Sequence, residues 1–272
     1  MLLDYLRTVA AVILAVVVAT PAGPVPQQPL GDPVVGGDVS WPNCPPGLGM
    51  TARPSLGKPL PGPSARFVLI GLTNGPAFHA NPCLVSQVAY ARERGIWASA
   101  YAVVTYPTHR QLRRYGGAGP REPTGDGRLF NTGWAQAEQN VARMHDAGLR
   151  SPAVWVDVEP VTAPAPWSQR PRRNKVVVDG ALAAYRAAGL RVGVYSVRSL
   201  WPQVMAGAGY RLPEWRSAGP RGRKAALAMC RQGSFGGGPA VIAQWWDDDR
   251  DHDLLCPGAP PQEVLQRWFV RS

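Results

Sequence analysis

The segment Ala153-Val154-Trp155-Val156-Asp157-Val158-Glu159-Pro160 decides how this chain is read. Its unbroken apolar start is the pattern of a strand covered on both faces, as in a parallel sheet with helices packed on it. The strand then ends on two carboxylates and a proline that cannot continue a ladder. Alternation with period two puts Asp157 and Glu159 on one face, about 6.6 Å apart along the strand. In a parallel barrel, chemistry collects at the C-terminal strand ends, so polar residues that close an apolar strand mark the candidate site.

Working outward, strand-like runs at 37–41, 66–73, 96–104, 153–159, 191–196, 213–217, 240–246 and 251–255 give eight strands. Helical patterns at 84–94, 132–147, 175–188, 197–206 and 223–231 fall between them, the rhythm of repeated βα units. Gly95, Gly148 and Gly189 follow the first three, where a left-handed helix stop favours glycine. Two stretches, the Pro- and Gly-rich 42–64 and the Arg-rich 105–131, are expected to be long loops. The rhythm runs from residue 37 to the end, so 36–272 is expected to be a single barrel.

Ahead of it, residues 8–19 (TVAAVILAVVVA) form an apolar run after Arg7, with small residues near Ala22. This predicts a signal peptide over 1–22 and a Pro-rich linker over 23–35. Left uncleaved, the same run would serve as an N-terminal membrane anchor. The expected location is secreted or cell envelope. Four cysteines in an exported chain point to two disulfides. Cys44 and Cys83 each follow a strand-like run, and Cys230 and Cys256 flank the last strong strand, so those pairs are expected.

The chain has 272 residues, 45% hydrophobic and 17% charged, a globular composition, with a net charge of +11 carried almost wholly by arginine. That favours anionic partners such as an envelope polymer. No nucleic-acid-binding motif is present, and the segment 170–175 (RPRRNK) reads as a solvated face. A serine hydrolase would want G-x-S-x-G, which is absent. No close cysteine pair suggests a metal, and the run Asp247, Asp249, Asp251 departs from a calcium loop at His252 and Gly258. No cofactor and no metal are expected. Most of that acidic run reads as solvated, with one or two members facing the site.

Two nearby carboxylates with separated pKa values are what glycoside cleavage needs, although the same D-x-E pattern occurs at solvated strand ends. Asp38, beside two glycines in an apolar strand, is either a turn residue or a buried, paired one. Trp245 and Trp246 take opposite faces of their strand, one for the core and one to stack on a sugar ring.

In order, these segments resemble the glycoside hydrolase family 25 lysozymes, secreted muramidases with an irregular eight-stranded β/α barrel and fewer helices than strands. Asp38-Val39-Ser40 resembles the family's opening D-V-S, residues 67–75 (FVLIGLTNG) its second strand F-V-x-I-K-A-T-E-G, and AVWVDVEP its D-x-E. RVGVYS (191–196) resembles its G-x-Y-[ST] strand, and AQWW with Asp253-Leu254 its W-Q-Y and closing V-D-L-N. The resemblance implies an α/β, TIM-like barrel with eight strands and fewer than eight helices. It implies Glu159 as general acid, Asp157 orienting the substrate acetamido group, and Asp38 and Asp253 completing an acidic cluster. Trp41, Tyr101, Tyr195, Trp245 and Trp246 are the corresponding substrate contacts. The implied partner is a cell-wall glycan, peptidoglycan or an associated polysaccharide, and the Arg, Ala, Gly and Pro bias fits an actinobacterial source. The sequence departs from the family at Gly71 for Lys, Asn74 for Glu and Ala102 for His. These departures leave a glycan-binding barrel without catalysis, or an anchored structural protein, as the other readings.

Overall fold

A computed structural model describes residues 33–160 and 166–271. The expected signal peptide and most of the expected linker lie outside the described residues. The first strand, β1 (Val35–Val39), is followed by a short 3-10 turn and a hairpin of β2 (Gly49–Met50) and β3 (Arg53–Pro54). The chain then runs β4 (Phe67–Gly71), α1 (Leu84–Glu93), β5 (Trp97–Val103), α2 (His109–Tyr115), α3 (Gly125–Asp146) and β6 (Ala153–Asp157). Next come α4 (Pro171–Ala187), β7 (Arg191–Val197), α5 (Trp201–Met205), β8 (Glu214–Ser217), α6 (Gly222–Met229) and β9 (Ala240–Trp246). β10 (Asp251–Leu255), α7 (Pro261–Trp268) and β11 (Val270–Arg271) complete it.

Strands pair in the order β1-β4-β5-β6-β7-β8-β9-β10, and β10 returns to β1, so eight strands close a barrel. All neighbours are parallel except β10, which runs antiparallel to both β9 and β1. This reversal brings the start of β10 to the end of the barrel where the parallel strands finish. The arrangement is the expected irregular barrel, with seven α-helices around eight barrel strands among the described residues.

Strand alternation sorts side chains into two layers. Phe67, Leu69, Trp155, Trp215 and Ile242 fill the interior, whereas Val68, Ile70, Val154 and Val156 pack outward with residues of α1, α3 and α4. Burying each large apolar side chain is worth about 1.5–3 kcal/mol. The end opposite the carboxylates is plugged by the last helix: Trp268 stacks near Trp155 at 4.8 Å and Phe269 meets Phe67 at 5.1 Å. Among the described residues, these rings close that end of the interior.

Both expected disulfides are present, Cys44–Cys83 and Cys230–Cys256, with Cα–Cα distances of 5.6 and 5.3 Å. The first ties the segment after β1 to the start of α1.

The expected loop at 105–131 is corrected. It contains α2, started by a capping box in which Thr108 Oγ1 accepts from Gln111 N while Gln111 Oε1 accepts from Thr108 N. α3 begins at Gly125 and not at 132. Likewise 42–64 is not wholly irregular, since it holds the β2–β3 hairpin, and α7 follows β10 where no helix was expected.

Candidate active site

Five carboxyl groups meet at the open end of the barrel. Asp38 comes from β1, Asp157 from the last position of β6, Glu159 from two residues beyond, and Asp251 and Asp253 from β10. Period-two alternation explains the set: Asp157 and Glu159 share one face, as do Asp251 and Asp253, and the reversal of β10 brings Asp251 to the mouth. Two tyrosines flank the cluster. Burial first, and then the charges of Glu159, Asp157 and Asp38, push the Tyr195 hydroxyl well above its ordinary range. Tyr101 is pushed up in the same way, by burial and then by the charge of Asp38. Both stay neutral donors.

A polar relay forms the floor. Tyr195 Oη donates to Gln244 Oε1 at 2.8 Å, and Gln244 Nε2 donates to Asp38 Oδ2 at 2.7 Å. Trp215 Nε1 donates to Asp253 Oδ1 at 2.7 Å. The interaction between the Asp38 and Asp253 carboxyls favours the acid form of Asp38 and the charged form of Asp253. Both carboxyls nevertheless lie well above the ordinary range, chiefly because they are buried.

Above this floor, a cleft of about 230 Å³ is lined by Asp157, Glu159, Trp41, Tyr101, Thr73 and Arg53, among others. Burial, and then the charge of Asp251, raises Glu159 to about 7. Asp157 is raised well above its usual value, first by burial and then by Glu159. Its Oδ1 is buried with no hydrogen-bond donor among the described residues. The repulsion between Asp157 and Glu159 is mutual, as the shared strand face implies, and it disfavours charging both at once.

Of the expected site residues, Asp38, Asp157, Glu159, Asp253, Trp41, Tyr101 and Tyr195 are brought together. Trp246 lies at the C-terminal end of β9, 43% exposed. Trp245 is a correction: alternation turns it to the outer face, where its ring stacks on His252 at 5.0 Å. Three residues escaped the sequence reading. Asp251 was masked by its acidic neighbours, Gln244 stood out only as one polar residue in an apolar strand, and Arg53 carried no periodic signal.

At the positions of family departure, a Cβ on Gly71 would lie 2.6 Å from Ser40 Cβ and 2.8 Å from Tyr101 Cζ, so those side chains occupy the space. Asn74 is buried and accepts from Met50 N at 2.8 Å, which fastens the hairpin. Ala102 packs outward in the layer between sheet and helices.

A family model described as Lysozyme-like protein 1 matches residues 126–215, a stretch holding Asp157, Glu159 and Tyr195. No curated protein matches the chain in sequence. Among solved structures, a muramidase from Acremonium alcalophilum is similar at TM-score 0.56 and 14% identity, covering 86% of this chain and 98% of that one. A family GH25 lysozyme from Aspergillus fumigatus is similar at TM-score 0.55 and 15% identity, covering 86% and 98%. The chain has the glycoside hydrolase family 25 fold. A bacterial lysozyme from Streptomyces coelicolor is similar at TM-score 0.56 and 15% identity, covering 88% and 98%. All five carboxyls are carried by strands β1, β6 and β10 or the residues just past them, towards the end of this barrel where the parallel strands finish.

Proposed function

We propose that the chain is an exported glycoside hydrolase that cleaves a bond next to an N-acetylated sugar in peptidoglycan or another envelope glycan. The single observation that carries this reading is Glu159, a carboxyl raised to about 7 in a cleft beside Asp157. A group with that pKa holds a transferable proton at neutral pH. Glu159 gives it to the glycosidic oxygen as the bond to the anomeric carbon breaks. Water completes the hydrolysis and its proton returns to Glu159. Asp157 Oδ1, with no donor of its own, accepts the acetamido N–H and so orients the sugar. Residues 1–22 act as the signal peptide and the Pro-rich stretch from 23 up to β1 as the linker, and the two disulfides fit an oxidising compartment.

The competing reading is a glycan-binding barrel without catalysis. What favours it is Asn74, which is committed to the hairpin where the family pattern has a carboxylate. Digesting purified peptidoglycan and weighing the products by mass spectrometry separates the two. Release of new reducing ends, abolished by Glu159→Gln with folding intact, is the expected result. Binding without release by the wild type replaces the enzyme with the binding module.

A further inference from the structure

A mouth of five carboxyls should repel an anionic sugar, yet one cation lines the same cleft. Arg53 stands in β3, in the hairpin inserted between β1 and β4. Asn74, just past β4, clamps that hairpin from both sides: its Oδ1 accepts from Met50 N at 2.8 Å and its Nδ2 donates to Arg53 O at 3.4 Å. The Cys44–Cys83 bridge fixes the segment further back.

The side chain of Arg53 is laid against the loop after β4. Gly75 has φ +71, and a Cβ there would stand 2.6 Å from Arg53 Cδ and 2.9 Å from Nη1. Glycine suits that backbone, and a side chain there would have to displace the end of Arg53. The stem is thus seated, while the guanidinium has no ion-pair or hydrogen-bond partner among the described residues. Ordering a long side chain costs conformational entropy, which a planar fork of donors recovers by gripping an oxyanion. Thr73 and Ser40, on the same lining, offer hydroxyls beside it.

We propose that Arg53 is the anion-recognising residue of the cleft, and that the glycan it takes carries an oxyanion, carboxylate or phosphate, on or beside the sugar at the scissile bond. The inference rests on the glycan reading of the cleft and sharpens its substrate class. It reconciles the acidic mouth with a strongly cationic chain: Glu159 and Asp157 face the reacting bond, while the acidic substituent is held from the hairpin side.

The test uses the Glu159→Gln protein, so that binding is read without turnover. Titration calorimetry compares peptide-free peptidoglycan strands with free sugar-linked carboxylates against the same strands amidated to neutrality, with a phosphorylated chitooligosaccharide as third probe. The acidic strand should bind about tenfold tighter than the amidated one. Adding Arg53→Gln should erase that margin while changing affinity for the amidated strand less than about twofold, and Arg53→Lys should restore part of it. Gly75→Ala should weaken the margin by pushing the guanidinium aside. Preference for the carboxylate or the phosphate probe names the source of the oxyanion. Equal binding of charged and neutral strands, binding of none, or a margin that survives Arg53→Gln overturns the proposal. A charge margin in a protein whose wild type releases no reducing ends keeps this inference and defeats the enzyme reading.

Discussion

Asp251, at the start of β10, acts on Glu159, just past β6, from the diametrically opposite wall of the barrel mouth. β6 and β10 are four strands apart in either direction around the eight-stranded ring. A carboxylate there keeps the proton donor protonated without competing for the place beside the reacting bond. Asp251 is itself lifted by burial and steadied by Lys58, which favours its charged form.

Asp251→Asn should therefore lower the pKa of Glu159 from about 7, because removing a nearby negative charge makes ionisation of Glu159 easier. The alkaline limb of the pH–rate profile should move towards acid. The shift is partial, since burial is the larger cause and remains. An alkaline limb that stays in place in the variant excludes Asp251 as a tuning charge.

Stability should fall with rising pH across the neutral range. Glu159 goes from 4.5 in the unfolded chain to about 7 in the fold, so between those values the folded state keeps a proton that the unfolded state has lost. Its contribution is full below about 4.5 and is lost as pH rises through about 7, on the order of 3 kcal/mol. Asp38, Asp157 and Asp253 are raised too and act in the same direction. Urea unfolding should give a more stable protein at about pH 5 than at about pH 8, with the difference reduced in Glu159→Gln. Stability that climbs over this range contradicts the assignment.

The strands were legible because burial on both faces writes an apolar run: FVLIG and AVWVD are buried at every position. Parity did the rest for Asp157 and Glu159. Asp251 was hidden because five acids in seven residues look solvated, and only the reversal of β10 turns alternate members inward. The basic helix α2 was hidden because five polar or charged residues in seven leave little apolar period, though Thr108 and Gln111 carried a capping-box signal. α7 was missed although Val264, Leu265 and Trp268 have helical spacing behind Pro261. Arg53 was beyond reach, since its place depends on Asn74 and Gly75 closing over a hairpin from another part of the chain.

Removing the first disulfide with Cys44→Ala and Cys83→Ala should cost about 3–4 kcal/mol, the entropy of a closed loop of 39 residues. The same segment carries Trp41 and Arg53 at the cleft, so glycan affinity should fall along with the melting temperature. Calorimetric melting and glycan titration on the double variant check both. Unchanged affinity would mean that Asn74 alone holds the hairpin.

On the outer face of β8, Glu214 and Arg216 are buried on either side of Trp215. Arg216 Nε donates to Glu214 Oε2 at 2.7 Å, and its other nitrogens donate to the carbonyls of Met229, Gln232 and Gly238. Glu214 Oε1 accepts from Ser234 Oγ and from the backbone N–H of Gly236 and Gly238. The pair thus supplies partners to the segment between α6 and β9 in place of regular structure. Arg216→Met leaves the Glu214 charge buried without its cation and should cost about 3–5 kcal/mol. Glu214→Gln added to it should recover part of that loss, because the orphaned charge is gone. Trp215, between the two, holds Asp253 through its indole N–H, so the single variant should also loosen the acidic floor and lower turnover. Urea unfolding, proteolysis at 231–239 and reducing-end release on both variants test this. A single variant as stable and as resistant to protease as the wild type would show that the pair does not anchor the segment.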